Sequence, residues 1–152
     1  MGMTGKLLKF LALTAAEKGL FLTVAMLSPL FWLGLRVFGL ARLQAWIDHS
    51  PLAKKTSYSV AELQGIGTLV NSAARYAPGP VTCLTRSLLL RWLLRRRGIA
   101  SDLRIGVQLV QGQLDAHAWV EVAGVPINDA ADVAKRFAAF NEPLSPEAFS
   151  TP

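Results

Sequence analysis

The chain has 152 residues, a length typical of one domain with its own hydrophobic core. Hydrophobic residues make up 52% of it and its mean hydropathy is +0.36, which is high for a soluble protein, and the excess lies mostly in the first third. The net charge of +6 attracts nucleic acids, anionic membranes and acidic peptides alike, so charge alone selects none of them. The single cysteine excludes an intramolecular disulfide framework, and one thiol cannot by itself form a structural zinc site.

Residues 1–58 are predicted to be an apolar helical region that ends in a polar linker. Helical sequence extends from residue 5 to residue 47, with a break expected near Pro29 because proline lacks the amide hydrogen of a helix interior. The helices are expected to pack on the rest of the domain or to lie on a membrane surface. A membrane span is less favoured, since the longest charge-free run is short and contains that proline.

The N-terminal sequence resembles a targeting segment only in part. Lys6 and Lys9 precede an apolar run, but Glu17 and Lys18 interrupt it and no small-residue cleavage site follows. We therefore expect a cytoplasmic protein, with membrane association through the N-terminal helices left open.

Two helices are predicted in the middle of the chain. Ser59 and Glu62 form a capping-box pair ahead of an apolar helical periodicity that reaches about Tyr76. The segment Pro78-Gly79-Pro80 then stops the helix.

The second helix is predicted from Cys83 to Arg97, with Thr82 as its N-cap and Gly98 at its end. Leucines surround most of this helix, which indicates a central buried element. The arginines from Arg95 onward complement the negative end of the helix dipole. We interpret them as a solvated helix end, and no nucleic-acid partner is predicted.

From Leu103 onward the apolar residues alternate with polar ones, as in half-buried strands. Strands are predicted over 103–109, 114–122 and 125–129, with turns between them. Helices followed by antiparallel hairpins form an α+β pattern.

Cys83 lies where a helix begins, directly after the Pro-Gly-Pro break. Unpaired backbone amides and the positive end of the helix dipole favour its thiolate, which is the nucleophilic form. A neighbouring base can hold such a thiolate as an ion pair. His117 is the candidate, because His49 lies in the polar linker and is expected at the surface.

His117 lies on the second predicted strand, where Ala116, Ala118 and Val120 are expected to face the core. Trp119 shares the other face with the histidine. Its indole is expected to shield the imidazole or to line a slot that binds a peptide substrate.

Asp129 follows on the next predicted strand. A bulge at Gly124 is expected to set Val122 opposite Pro126, and this register brings Asp129 diagonal to His117. Its carboxylate then fixes the tautomer of the imidazole and stabilises the imidazolium.

Asp132 and Asn128 are the alternatives for the third residue of the triad. A nucleophile at a helix start, a histidine on a strand and an aspartate on the next strand follow the chain order of papain-like and transglutaminase-like catalytic cores. This order predicts a small cysteine peptidase.

The motifs also resemble those of a known family over about residues 60–130. They read, in order, Cys83-Leu-Thr-Arg-Ser-Leu-Leu-Leu, Leu103-Arg-Ile-Gly-Val, Ala116-His-Ala-Trp-Val-Glu-Val and Asn128-Asp. This set resembles the transglutaminase-like leader peptidase of lasso-peptide biosynthesis. The resemblance implies a papain- or transglutaminase-like peptidase core over residues 59–152.

The resemblance also assigns roles: Cys83 as nucleophile, His117 as general base and acid, and Asp129 as the orienting carboxylate. It implies hydrolysis of a precursor peptide between leader and core, without a metal or other cofactor. An ATP-dependent lasso macrolactam synthetase is an expected partner. A separate leader-recognition protein is a second one, because residues 1–58 offer no strands from which a recognition domain could form.

Some alternatives remain open at this point. The backbone amide of Cys83 is expected to be one oxyanion donor, and the second donor is either Tyr76 or a side chain among residues 71–75. The same core also fits an acyltransferase, in which an amine resolves the thioester. A third interpretation is a non-catalytic, membrane-associated binding protein that uses its apolar N-terminus and basic residues.

Overall fold

The computed structural model describes residues 3–54 and 56–139. Its elements are, in chain order, α1 (Met3–Leu11), α2 (Ala15–His49), α3 (Val60–Ala74), α4 (Cys83–Arg96), β1 (Asp102–Val110), β2 (Gln113–Val122), β3 (Val125–Pro126), α5 (Val133–Arg136) and β4 (Ala138–Ala139). The long helices precede an antiparallel sheet of strand order β3-β2-β1-β4. The predicted α+β class is confirmed.

Helix α2 differs from its prediction, because the break expected near Pro29 is wrong. The helix continues through this proline, and its backbone leaves the helical conformation at Gly39 instead, where φ is 78° and ψ is 169°. Ser28 and Phe31 are buried on either side of the proline, so packing holds the helix together there. Tertiary contacts thus outweigh the hydrogen bond that Pro29 lacks.

The helix starts follow local side-chain chemistry, as predicted. Ser59 Oγ accepts a hydrogen bond from the Glu62 N–H at 3.2 Å, and the Glu62 carboxylate accepts one from the Ser59 N–H at 2.7 Å. Thr82 Oγ1 accepts from the Thr85 N–H at 3.2 Å and caps α4. Both predicted caps are confirmed, and each fixes the first residue of its helix.

One buried cluster joins α2, α3, α4 and one face of the sheet. Its members from the helices include Val24, Phe31, Ile47, Leu63, Val70, Leu88, Leu89, Leu90 and Leu94, and those from the sheet include Leu103, Ala118 and Val120. Helix α4 is the centre of this core, as its leucine content predicts. The predicted boundary between residues 58 and 59 runs between α2 and α3, which share the cluster.

The other face of the sheet carries a smaller buried cluster of Trp119, Val133 and Phe137. Gly106 of β1 pairs with His117 of β2 and makes room for this cluster. A Cβ atom at Gly106 would lie 2.9 Å from the Cβ atom of Phe137, closer than real side chains approach. The short α5–β4 segment therefore packs tightly behind the strand that carries His117.

The β2–β3 hairpin corrects the predicted register. Ala123 and Gly124 both have positive φ, 49° and 78°, and form a two-residue turn. Val122 consequently pairs with Val125 and not with Pro126. The bulge expected at Gly124 is wrong, because a turn with two left-handed residues closes a hairpin without an extra residue.

Candidate active site

Cys83 is the first residue of α4 and is half-buried against the main core. The first hydrogen bonds of the helix are made by residues after Cys83. The Thr85 N–H donates to the side chain of the N-cap residue Thr82, and the Arg86 N–H donates to the Thr82 carbonyl at 3.1 Å. The backbone amide of Cys83 belongs to the first turn, whose N–H groups have no acceptor within the helix. The sulfur therefore lies at the positive end of the dipole of a 14-residue helix.

His117 and Asp129 form the closest pair of the candidate triad. Asp129 Oδ2 lies 2.5 Å from His117 Nε2, and the two side chains are 19% and 22% exposed. A carboxylate at this distance accepts the Nε2 proton, which leaves Nδ1 as the basic nitrogen of the neutral ring. The pair thus orients an imidazole that can take a proton through Nδ1.

The surroundings of Asp129 keep its carboxylate charged. Burial by itself raises the pKa of Asp129, but the hydrogen bonds from His117 and the Ala130 N–H outweigh burial, and the charges of His117 and Arg136 add to them. The net effect lowers the pKa below that of an ordinary aspartate. Asp129 Oδ1 accepts from Ala130 at 2.8 Å and from Arg136 at 3.1 Å. An ionised carboxylate is the form that stabilises an imidazolium.

The two alternatives for the third residue contact other groups. Asp132 Oδ1 lies 3.4 Å from Arg136 Nε, and the Asn128 side-chain oxygen accepts a hydrogen bond from the Val120 N–H at 2.8 Å. The structure therefore places Asp129, and neither of these residues, against His117.

Asn128 and Ser87 connect the nucleophile helix to β2 and to the segment after β3. Ser87 lies one turn after Cys83, and its hydroxyl donates to the Ala118 carbonyl at 3.1 Å. Asn128 Nδ2 donates to Ser87 Oγ at 3.2 Å, while its Oδ1 accepts from the Val120 N–H. Since Ala118 adjoins the histidine and Asn128 adjoins the aspartate, this buried clamp sets the relative positions of α4, β2 and the segment after β3.

Helix α3 supports the same segment from outside. Gly67 allows the helix to approach so closely that an added Cβ atom would lie 2.3 Å from the Ile127 carbonyl oxygen. One turn later, Asn71 Nδ2 donates to the Asn128 carbonyl at 2.7 Å.

Two of the residues suggested as the second oxyanion donor have other contacts. The Asn71 amide already donates to the backbone. Tyr76 is exposed, and its ring packs 5.7 Å from that of Phe21.

Trp119 lies behind the imidazole and not on an open surface. Its side chain is 0% exposed, and its indole N–H donates to Glu121 at 2.9 Å. Glu121 is in turn 3.0 Å from the Arg104 guanidinium. The indole is stacked 6.2 Å from the His117 ring, so the shielding role suggested from the sequence fits its position. The alternative role, as the wall of a substrate slot, does not fit a fully buried side chain.

Two residues near the triad escaped the sequence analysis. Phe137 packs its ring 4.9 Å from that of His117, and Arg136 contacts both Asp129 and Asp132. The four-residue spacing of Asp132 and Arg136 could have indicated an ion pair on one helical turn. Their approach to the histidine and to Asp129 depends on α5 folding back over the sheet, which no local pattern indicates.

Cys83 stands apart from the closest pair. Among the described residues, His117 is hydrogen-bonded to Asp129, and no hydrogen bond joins the Cys83 sulfur to the imidazole ring. Thiol–imidazole contacts of catalytic pairs are commonly loose before substrate binds. The clamp through Ser87 nevertheless ties the helix turn after Cys83 to the residue beside His117.

Comparison with known proteins gives a single result at the level of the superfamily. The family model described as the transglutaminase-like superfamily matches residues 27–142, which include most of α2, both central helices and the sheet. No curated protein and no solved structure matches the chain. The matched range contains Cys83, His117 and Asp129 in the order expected for that superfamily. The chain belongs to the transglutaminase-like superfamily.

Proposed function

We propose that this chain is a cysteine peptidase that removes the leader from a precursor peptide during lasso-peptide maturation. Its superfamily indicates chemistry of the cysteine-protease or acyltransferase type. The observation that carries the proposal is the His117–Asp129 pair at 2.5 Å, beside a helix that begins with the only cysteine of the chain. The motif resemblance between residues 60 and 130 supports the peptide substrate.

In the proposed reaction, the Cys83 thiolate bonds to the carbon of the scissile carbonyl. The carbon–nitrogen bond then breaks as His117 donates a proton to the leaving amine, and an acyl-thioester remains on Cys83. Water, deprotonated by His117, hydrolyses the thioester and restores the thiol. Asp129 holds the ring in one tautomer and balances the imidazolium charge. The Cys83 N–H stabilises the oxyanion of both tetrahedral intermediates.

The proposal includes partners in the cytoplasm. Cleavage releases the N-terminus of the core peptide, which a separate ATP-dependent macrolactam synthetase uses. The proposal assigns leader binding to a separate recognition protein, because α1 and α2 are helices and offer no sheet edge to which an extended leader could add as a strand. Its role is to raise the effective concentration of the scissile bond at Cys83.

The test reconstitutes cleavage with purified components. The chain is mixed with a lasso precursor peptide, with and without a leader-recognition protein, and products are followed by mass spectrometry. We expect cleavage at one bond that is strongly stimulated by the recognition protein and abolished by Cys83→Ala. His49→Ala serves as the control, because that histidine lies at the far end of α2 and bonds to the Ala45 carbonyl.

Different products would lead to different conclusions. Cleavage that survives in Cys83→Ala contradicts the thiol mechanism. A product that carries an added amine in place of water supports the acyltransferase alternative and contradicts hydrolysis. Efficient leader-dependent cleavage without the recognition protein contradicts the division of labour between two proteins.

A further inference from the structure

Helix α2 carries no charged residue from residue 19 to residue 35, but the protein covers only one side of this stretch. Val24, Ser28 and Phe31 face the core and are buried. On the opposite side, large apolar side chains recur at helical spacing and are exposed; they are Leu22, Met26, Leu30, Leu33 and Val37. We call these residues the outer stripe of α2. A helix that buries only one of two apolar faces has a second face available to a partner.

The outer stripe is a continuous surface. Residues 22 to 37 extend over about 22 Å at 1.5 Å per residue, and Met26, near the middle, is 72% exposed. Next to Leu30 and Leu33, an apolar pocket of about 270 Å³ lies between the helix and the Pro78-Gly79-Pro80 segment. Soluble proteins rarely leave so long an apolar surface uncovered.

Charge around the outer stripe is of one sign. No acidic residue occurs between Glu17 and Asp48. Lys18 and Arg36 lie about five turns apart at 3.6 residues per turn, so they flank the stripe on the same side. The guanidinium of Arg36 lies 5.6 Å from the centre of the Trp32 ring. An apolar face bordered by cations and a tryptophan complements the boundary between acyl chains and anionic headgroups.

We propose that the outer stripe docks on the surface of an anionic lipid bilayer. The helix lies parallel to the membrane, its stripe enters the acyl-chain boundary, and Lys18 and Arg36 contact the headgroup phosphates. The helix Ala15–His49 is long enough to cross a membrane, and an 18-residue stretch of it has a mean hydropathy of 1.8. Lying on the surface agrees better with the fold, because crossing would remove Val24 and Phe31 from the shared core. This proposal does not depend on the proposed peptidase function.

The test is flotation of the purified full chain with lipid vesicles. One set contains phosphatidylglycerol mixed with phosphatidylcholine, and the other contains phosphatidylcholine alone. We expect the wild type to float with the mixed vesicles and Met26→Gln/Leu30→Gln to lower the bound fraction about tenfold or more, because two apolar side chains no longer enter the bilayer. Lys18→Glu/Arg36→Glu should weaken binding to the mixed vesicles only.

The β1–β2 hairpin provides a matched control. Leu109 and Leu114 pair across it and are each 72% exposed, so Leu109→Gln/Leu114→Gln removes similar apolar surface elsewhere. This variant should float as the wild type does, and circular dichroism should show every variant folded. Absence of flotation, or an equal loss in the hairpin variant, overturns the proposal. The proposal is also overturned if the wild type is a dimer without lipid and Met26→Gln/Leu30→Gln makes it a monomer. A second copy of the chain would then cover the outer stripe in place of a membrane.

Discussion

At the scale of single residues, Asp129 is the group whose surroundings the structure defines best. It accepts hydrogen bonds from His117, Arg136 and the Ala130 backbone, and these keep its pKa below that of an ordinary aspartate against the opposing effect of burial. The residue order along the chain was enough to propose this aspartate from the sequence. Its route to the imidazole was not predictable, because the third strand does not continue to residue 129 as expected. The Ile127 N–H still donates to the Val120 carbonyl at 2.9 Å, but the Val120 N–H donates to the Asn128 side chain in place of a backbone carbonyl.

The lowered pKa of Asp129 predicts a pH-dependent contribution to stability. A carboxyl whose folded-state pKa is depressed stabilises the fold above its unfolded-state pKa, about 3.9, and loses this effect as the pH falls through the folded-state value. Asp129→Asn should therefore lower the free energy of unfolding by about 1 kcal/mol at neutral pH. The difference from wild type should shrink on acidification below about pH 4. Urea unfolding at a series of pH values measures both, and a gap that widens in acid would contradict the assignment.

The nucleophile assignment makes a separate prediction. Cys83→Ala should abolish leader cleavage and leave the fold almost intact, because the lost thiol acts in covalent catalysis and its removal changes little volume in a half-buried site. Cleavage rates and thermal unfolding, measured on the same preparation, separate the two effects. Retention of about a tenth of the wild-type rate would remove Cys83 from the mechanism.

At the scale of elements, local signals were predictable and distant ones were not. The Ser59–Glu62 capping box and the Thr82 cap each involve residues within one turn, so the sequence pattern alone locates the helix starts. The continuation of α2 through Pro29 depends on tertiary packing. The register of the last hairpin depends on two left-handed residues, of which Ala123 carries no conformational signature in the sequence.

The contact of α3 with the segment that carries Asp129 gives a prediction with a control on the same helix. Gly67→Ala would place a methyl group 2.3 Å from the Ile127 carbonyl, so α3 and this segment must separate. We expect a loss of about 1–3 kcal/mol in the free energy of unfolding, together with weaker activity because Asp129 shifts. Gly65→Ala, where nothing lies within 4 Å, should be neutral or stabilising. Chemical denaturation of both variants measures the two free energies of unfolding. Equal losses in Gly67→Ala and Gly65→Ala would contradict the close approach of α3 to Ile127.

At the scale of the whole molecule, the N-terminal region and the catalytic region share one core. The sequence predicted the order of helices before strands, and it predicted that the N-terminal helices pack on the domain or lie on a membrane. The structure shows one face of α2 in the core and leaves the opposite face exposed. Whole-chain hydropathy could not separate these two faces, because both consist of the same residue types.

The shared core predicts that a substitution in α2 destabilises the catalytic region. Ile47 is 0% exposed within the cluster that also holds the leucines of α4. Ile47→Ala should lower the free energy of unfolding by about 2–4 kcal/mol in a single transition. Leu22→Ala, on the exposed side of the same helix, should change it by less than about 0.5 kcal/mol. Two separate unfolding transitions in Ile47→Ala would mean that the regions fold independently.

The central claim is that His117 activates Cys83, and the rate of Cys83 alkylation tests it most directly. Because the chain has a single cysteine, intact-mass spectrometry after iodoacetamide treatment reports on that thiol alone. At about pH 6, wild-type Cys83 should react at least about tenfold faster than in His117→Ala, because an ion pair with the imidazole adds to the effect of the helix N-terminus on the thiol. His49→Ala, which alters the other histidine, should react as the wild type does. Equal rates in wild type and His117→Ala from about pH 6 to pH 9 would contradict the catalytic pair.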